Sequence, residues 1–137
     1  PFCGYNIGDY FGHWLDMGTR IPHPPAIFHV NWFRKGADGK FLWPGFGENV
    51  RVLKWILDRV EGRASATESP IGFIPTPDSL DLDGLNLAPE TVTALLAIDH
   101  TEWHAEANGI GAFFDEVGPR LPDALRGELD ALRHRLG

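Results

Sequence analysis

The residues whose chemistry is most telling are aromatic rings concentrated in residues 30–49. They are Trp32, Phe33, Phe41, Trp43 and Phe46. Several glycines and one proline lie among them, so the segment must turn and cannot be one regular helix or strand. Rings on a turning backbone can be aimed at one another and leave a slot that suits a flat heteroaromatic base. A loop whose rings simply fill the core is an equally open alternative.

Asn49 closes this aromatic segment with a side-chain amide. An amide both donates and accepts hydrogen bonds, which suits reading the edge of a base. Asn49 is also a credible N-cap for a helix that follows it, and the two roles are compatible because helix N-termini often contact ligands. The segment therefore predicts a base-binding site that combines stacking with one edge-reading amide.

The composition and net charge limit the classes of molecule that the chain could bind. The chain has 137 residues, 43% of them hydrophobic, and a formal net charge of −7. That is one domain's worth of folded chain, and its acidity argues against duplex DNA, RNA or an anionic membrane as a partner. Cys3 is the single cysteine, so an internal disulfide is impossible, and its apolar neighbours predict a buried, inert thiol. The apolar start at Pro1 suggests the middle of a longer polypeptide.

Hydrophobic periodicity predicts an α+β segment that is mostly helical with a few short strands. In the first half we expect a helix over residues 10–17 ended by Gly18, a strand over 26–33, a turn at 36–39 and a helix over 49–60 ended by Gly62.

In the second half we expect a strand over residues 71–74 and helices that begin at Pro89, cover 103–117 and cover 125–136. Asp123 is the expected cap of the last helix. By organisation, residues 1–62 would carry the aromatic segment, 63–88 would form a connector, and 89–137 would form a helical buttress.

Three other patterns are weaker. The Gly45-Phe46-Gly47 triplet lacks the rest of either phosphate-loop motif. His100 and His104 stand one helical turn apart but have no obvious third metal ligand, so a solvated helix face is favoured. Residues 79–90 space their acids like a calcium loop, yet the prolines before them leave no room for an entering helix. No nucleophile–base pair is visible.

Residues 27–35 and 39–49 resemble the C-terminal region of GTP-dependent phosphoenolpyruvate carboxykinase. The unusual run Phe-Leu-Trp-Pro-Gly-Phe-Gly-Glu-Asn at 41–49 carries most of the likeness, and residues 1–8, 13–15 and 70–75 add to it. The similarity extends through the whole chain and weakens over the last helices. Cys3 stands where some relatives have an aromatic residue.

The resemblance implies a specific function. The family is an α/β enzyme of gluconeogenesis and anaplerosis that interconverts oxaloacetate and GTP with phosphoenolpyruvate, carbon dioxide and GDP in the cytoplasm. It uses Mn²⁺ at the active site and Mg²⁺ with the nucleotide. Its guanine-binding positions match Phe33, Phe41 and Phe46, which would stack, and Gly47, Glu48 and Asn49, of which Asn49 would select guanine.

The resemblance also implies what these 137 residues lack. The family's phosphate loop, metal ligands, substrate arginines and catalytic lysine match no position of this chain. We therefore expect no turnover from the segment alone, which would form part of the C-terminal nucleotide-binding domain.

Two alternatives remain open at the level of sequence. The rings of Trp32, Phe33, Trp43 and Phe46 could form a stand-alone platform for a nucleotide, a sugar or single-stranded RNA, although the net charge disfavours RNA. The same rings could serve packing alone.

Overall fold

The structure is a computed structural model that describes residues 3–137, so the predictions that involve Pro1 and Phe2 lie outside the described residues. It is mostly helical, as predicted, and carries two short strands. The chain divides into two compact units, one made of Pro1–Pro25 with Asp99–Gly137 and the other of Ala26–Ile98. The whole aromatic segment belongs to the second unit.

In the first unit, helix α1 covers Ile7–Arg20 and is longer than predicted. The Asn6 side chain caps it by accepting a hydrogen bond of 2.8 Å from the Gly8 N–H. Gly18 does not end the helix, contrary to prediction. The helix stops at Ile21, which is extended (φ −88°, ψ 122°) because the following Pro22 disfavours a helical conformation at the residue before it.

Helices α4, His100–Val117, and α5, Asp123–Leu136, complete the first unit. Gly118 ends α4 with a positive φ of 73°, as predicted from the Gly-Pro pair. Asp123 is the first residue of α5 and makes no capping hydrogen bond, so its predicted cap is wrong; Pro122 occupies that position. The apolar stripes of the two helices form the core: Ala107, Leu129 and Leu136, with Trp103, Ile110, Phe114 and Leu132 packed against it.

In the second unit, helix α2 covers Asn49–Val60, as predicted. Strands β1, Ala66–Ser69, and β2, Gly72–Pro75, pair antiparallel from Ala66↔Pro75 to Ser69↔Gly72. Strand β2 confirms the strand expected at 71–74, while β1 escaped prediction because its polar sequence resembles a loop. Helix α3 covers Pro89–Leu96 and confirms the predicted proline start.

Trp55 is the buried centre of the second unit. Its indole N–H donates to the backbone oxygen of Ser65 at 3.2 Å and to the hydroxyl of Ser79 at 3.0 Å. The ring of Phe28 meets it edge to face, with centroids 6.2 Å apart. These contacts tie α2 to the segments on either side of the two-stranded sheet.

The strand predicted over residues 26–33 is absent. Among residues 3–137 it has no pairing partner, and β propensity is realised only where a neighbouring strand completes the ladder. Asn31 instead forms a local turn, in which its side-chain oxygen accepts a 2.9 Å hydrogen bond from the Phe33 N–H.

Asp58 is the residue whose charge we expect to matter most for the stability of α2. Hydrogen bonds from Lys54 and Arg63, and the charges of both, lower the pKa of its carboxyl from the ordinary value of 3.8. The ionised form is therefore favoured in the folded state, and its contribution is present above the ordinary carboxyl pKa and lost as pH falls through the lowered one.

Asp58→Asn should accordingly lower the melting temperature at pH 7, with the difference from wild type narrowing as the pH falls below 4. Thermal melts across that range measure this. The matched control is Asp16→Asn, which removes an exposed i,i+4 pair with Arg20 and should change little. An equal effect of the two substitutions would contradict the assignment.

Candidate functional site

A tight hairpin positions the first two rings of the aromatic segment. Lys35 and Phe41 form a β-bridge, the Gly36 N–H donates to the Lys40 oxygen at 2.9 Å, and Gly39 turns with a φ of 77°. The turn predicted at residues 36–39 is thus confirmed. The hairpin brings Phe33 to Phe41, with ring centroids 5.9 Å apart and planes tilted by 60°.

The geometry of this pair decides where a base could stack. A base sandwiched between two rings needs about 7 Å between their planes, twice the carbon–carbon contact distance of about 3.5 Å. Phe33 and Phe41 are closer than that and contact each other. Both rings are exposed, by 71% and 56% respectively. The Lys35 ammonium lies over the Phe41 ring, 5.5 Å from its centroid, so Phe33 offers the surface of this pair that is more open to a ligand.

Arg34 anchors the hairpin to the end of helix α3. Its Nη1 donates to the backbone oxygen of Leu95 at 3.0 Å and to that of Ala97 at 2.7 Å. Carbonyls at a helix C-terminus lack partners within the helix and carry partial negative charge, so a guanidinium stabilises them. These two hydrogen bonds therefore fix the backbone next to Phe33.

Phe46 stands at the start of a 3₁₀ turn, Phe46–Glu48, that leads directly into α2. Gly45 precedes it with a φ of 119°, a conformation that favours glycine. The Phe46 side chain is 92% exposed, and within residues 3–137 its ring pairs with no other aromatic ring. The structure thus joins Phe33 to Phe41 and leaves Phe46 as a separate, solvent-facing ring.

An ion pair with Arg51 holds the side chain of Glu48 in place. Its carboxylate accepts from Arg51 Nε at 2.7 Å, and Arg51 also donates to the backbone oxygen of Asp81 at 2.9 Å and to its carboxylate at 3.3 Å. This network fixes the 3₁₀ turn against the loop that follows β2. Gly47 is exposed, and a Cβ there would meet nothing within 4 Å.

Asn49 is the first residue of α2, and its side chain does not cap the helix, contrary to prediction. Its Oδ1 instead accepts a 2.9 Å hydrogen bond from the indole N–H of Trp43. Trp43 is only 7% exposed, so the buried indole would lack this partner if the amide turned away. The buried ring thereby fixes the orientation of the Asn49 amide.

The remaining sequence patterns concern possible metal ligands and Cys3. Within residues 3–137 no group of three or more His, Cys, Asp or Glu side chains is arranged to hold a metal ion. His100 instead places its Nδ1 3.0 Å from the backbone oxygen of Leu136. Cys3 is exposed, so the prediction of a buried thiol is wrong; its aromatic neighbour Tyr5 is itself largely exposed. The Cys3 thiol lies 3.3 Å from the backbone oxygen of Tyr5. No helix in the described part of the chain has the length and apolarity needed to span a bilayer.

The positioning residues Trp43, Arg34 and Arg51 were not predicted. The sequence predicts Trp43 to be a stacking ring, but in the structure the ring is buried and its N–H donates a hydrogen bond to Asn49. Arg34 and Arg51 make contacts 61 and 30 residues away along the chain, which no local pattern reports.

Known proteins resemble this chain over its full length. Residues 1–135 match the model of the family described as phosphoenolpyruvate carboxykinase C-terminal P-loop domain. Phosphoenolpyruvate carboxykinase (GTP) of Renibacterium salmoninarum is 50% identical over 100% of this chain. The proteins of the same name from Paenarthrobacter aurescens and Anaeromyxobacter dehalogenans are each 49% identical over 100% and 99% of it.

In each of these three relatives the matched region is 23% of the relative's own length. The chain thus spans about a quarter of the curated proteins it matches. The family model covers nearly all of its residues, and the relatives carry the name of the same enzyme. The chain therefore belongs to the GTP-dependent phosphoenolpyruvate carboxykinase family, within the C-terminal domain of that family.

Proposed function

We propose that this chain supplies the guanine-binding part of an enzyme that interconverts oxaloacetate and GTP with phosphoenolpyruvate, GDP and carbon dioxide. The side chains of Phe33, Phe41, Phe46 and Asn49, with the backbone at Gly47 and Glu48, form the base site. The observation that carries the proposal is the juxtaposition of a fully presented ring, Phe46, with an amide held in one orientation three residues later.

Stacking supplies affinity in this site. The Phe46 ring is almost fully exposed. The Phe33–Phe41 pair offers chiefly the exposed side of Phe33, because the two tilted rings contact each other and the Lys35 ammonium lies over Phe41. A purine that stacks on an aromatic ring gains about 1–3 kcal/mol per base. Such stacking is indifferent to the identity of the purine and so cannot by itself choose guanine over adenine.

Selectivity comes from Asn49. With Oδ1 accepting from Trp43, the Nδ2 amino group is the part of the amide left to donate. Guanine presents a carbonyl oxygen at C6, which accepts, whereas adenine presents an amino group there, which would leave two donors facing each other. A site built to donate to O6 therefore disfavours adenine.

Gly47 and Glu48 contribute through their backbone. The Glu48 carboxylate is engaged by Arg51, so it is not free for the base. Gly47 carries no side chain and has open space around its Cα, which lets a base approach the peptide groups of the turn.

In this proposal the chain binds and orients the nucleotide and transfers neither a proton nor a phosphoryl group. The described residues offer no cluster that fits the Mn²⁺ or Mg²⁺ that the family implies, so no step is assigned to a metal on this chain. Oxaloacetate and phosphoenolpyruvate would bind elsewhere in the full-length enzyme. We place the enzyme in the cytoplasm, in keeping with a chain whose single cysteine permits no internal disulfide.

Nucleotide choice in a carboxylation assay tests the proposal. The full-length gene product would be given phosphoenolpyruvate, bicarbonate and Mn²⁺, with GDP in one reaction and ADP in another. We expect oxaloacetate to form with GDP and not with ADP. Formation with ADP alone would refute the guanine role of Phe46 and Asn49, and no product from either, with folded protein, would favour a stand-alone binding module.

A further inference from the structure

The contact between Trp43 and Asn49 is the only one in the described residues that fixes the rotation of the Asn49 amide. An indole N–H can only donate, so it can pair with the oxygen of a carboxamide and not with its amino group. Of the two orientations that a 180° rotation of the amide would interchange, only one satisfies the buried indole.

We propose that Trp43 is a specificity-determining positioning residue: by holding Oδ1 of Asn49, it turns Nδ2 toward the base and makes the site select guanine over adenine. The inference rests on the proposed function, because it concerns how the base edge is read. Trp43 itself makes no contact with the nucleotide in this scheme; it acts through Asn49.

The burial of Trp43 makes this control effective. The ring is 7% exposed, and the segment that carries it lies between the hairpin and the 3₁₀ turn, so it is held at both ends. The Asn49 backbone is fixed as the first residue of α2. With both partners anchored, loss of the indole N–H would free the amide to rotate and to offer its oxygen to the amino group of adenine.

Trp43→Phe tests this by keeping an aromatic ring and removing the donor. The measurement is the dissociation constant of GDP, IDP and ADP, from displacement of a fluorescent GDP analogue on the full-length gene product. We expect the ADP-to-GDP ratio of dissociation constants to fall by about fivefold or more, since one directional hydrogen bond no longer sets the amide. The IDP-to-GDP ratio should stay unchanged, because hypoxanthine keeps the C6 carbonyl and lacks only the 2-amino group.

The matched control is Trp55→Phe. Trp55 is similarly buried, at 5% exposure, and its N–H also donates hydrogen bonds, but the acceptors are oxygens of Ser65 and Ser79. Its loss should leave both nucleotide ratios at the wild-type values, whatever it does to the melting temperature. General damage to the pocket would weaken all three nucleotides together and leave the ratios unmoved, which would count against the proposal.

Failure of this inference can be told apart from failure of the proposed function. If Asn49→Ala abolishes guanine preference while Trp43→Phe retains it, Asn49 reads the base and Trp43 does not set its orientation. If Asn49→Ala leaves the preference intact, the proposed function itself fails. Should Trp43→Phe not fold, benzothienylalanine at position 43 keeps the bicyclic shape without the N–H, and retained preference in that protein would overturn the inference.

Discussion

Replacing Asn49 by Asp is expected to turn the base preference of the full-length enzyme away from guanine. One carboxylate oxygen can still accept from the Trp43 indole, as Oδ1 of Asn49 does now. The other then lies where the amino group stood and faces the C6 oxygen of guanine, an acceptor against an acceptor. Adenine, which presents an amino donor at C6, would be accommodated.

The effect should be large because it combines a lost hydrogen bond with a new repulsion. Leaving or mispairing a buried polar group costs about 1–3 kcal/mol, more when it is charged, so the ADP-to-GDP ratio of dissociation constants should fall on the order of 100-fold. Stability should not suffer, since a negative charge at the first residue of α2 is favourable to the helix dipole.

The matched control for this substitution is Asn86→Asp. It makes the same change of charge at an exposed position in the same unit, outside the aromatic segment. Binding constants for GDP and ADP on the two variants decide the matter. If Asn49→Asp behaves like Asn86→Asp, then Asn49 does not read the base edge.

Phe46→Ala is expected to weaken GDP binding without weakening the fold. Loss of one stacking contact of about 1–3 kcal/mol corresponds to a rise in dissociation constant of about 5- to 150-fold. Because the ring is 92% exposed, its removal should change the free energy of unfolding by less than about 0.5 kcal/mol. Affinity for ADP should fall by a similar factor, because stacking does not distinguish the purines.

Phe73→Ala provides the comparison. Phe73 is an exposed phenylalanine in the same unit, on strand β2, with the guanidinium of Arg59 5.4 Å from its ring centroid. Its loss should leave GDP affinity unchanged. If Phe46→Ala lowered the melting temperature and spared nucleotide affinity, the packing alternative would be right. Titration calorimetry and thermal melts on both variants give the two quantities.

Helix positions in this chain were predictable where local chemistry sets them. The bounds of α2 follow from its apolar periodicity and from Gly62, which has a φ of 73°, and Pro89 and Gly118 mark a helix start and a helix end as expected. The end of α1 was missed because Gly18 is tolerated inside a helix, whereas Pro22 fixes where the backbone must leave it.

The residues of the proposed site could be named from the sequence, whereas their mutual geometry could not. The rings and the amide stood out by type, yet the contact between Phe33 and Phe41 depends on a hairpin register, and the bond from Trp43 to Asn49 depends on the 3₁₀ turn between them. Asn49 is a residue type that often caps helices, but its side-chain oxygen instead accepts a hydrogen bond from the buried indole N–H of Trp43. The strand predicted at residues 26–33 is absent because a strand requires a pairing partner, and the local sequence does not specify one.

The most direct test of the central claim is a crystal structure of the full-length gene product with GDP bound. We expect the guanine ring within about 4 Å of the Phe46 ring, in stacking contact. Its C6 oxygen should lie about 2.9 Å from Asn49 Nδ2, with Oδ1 still held by Trp43. Guanine bound away from both Phe46 and Asn49 would contradict the assignment of this segment as the base site.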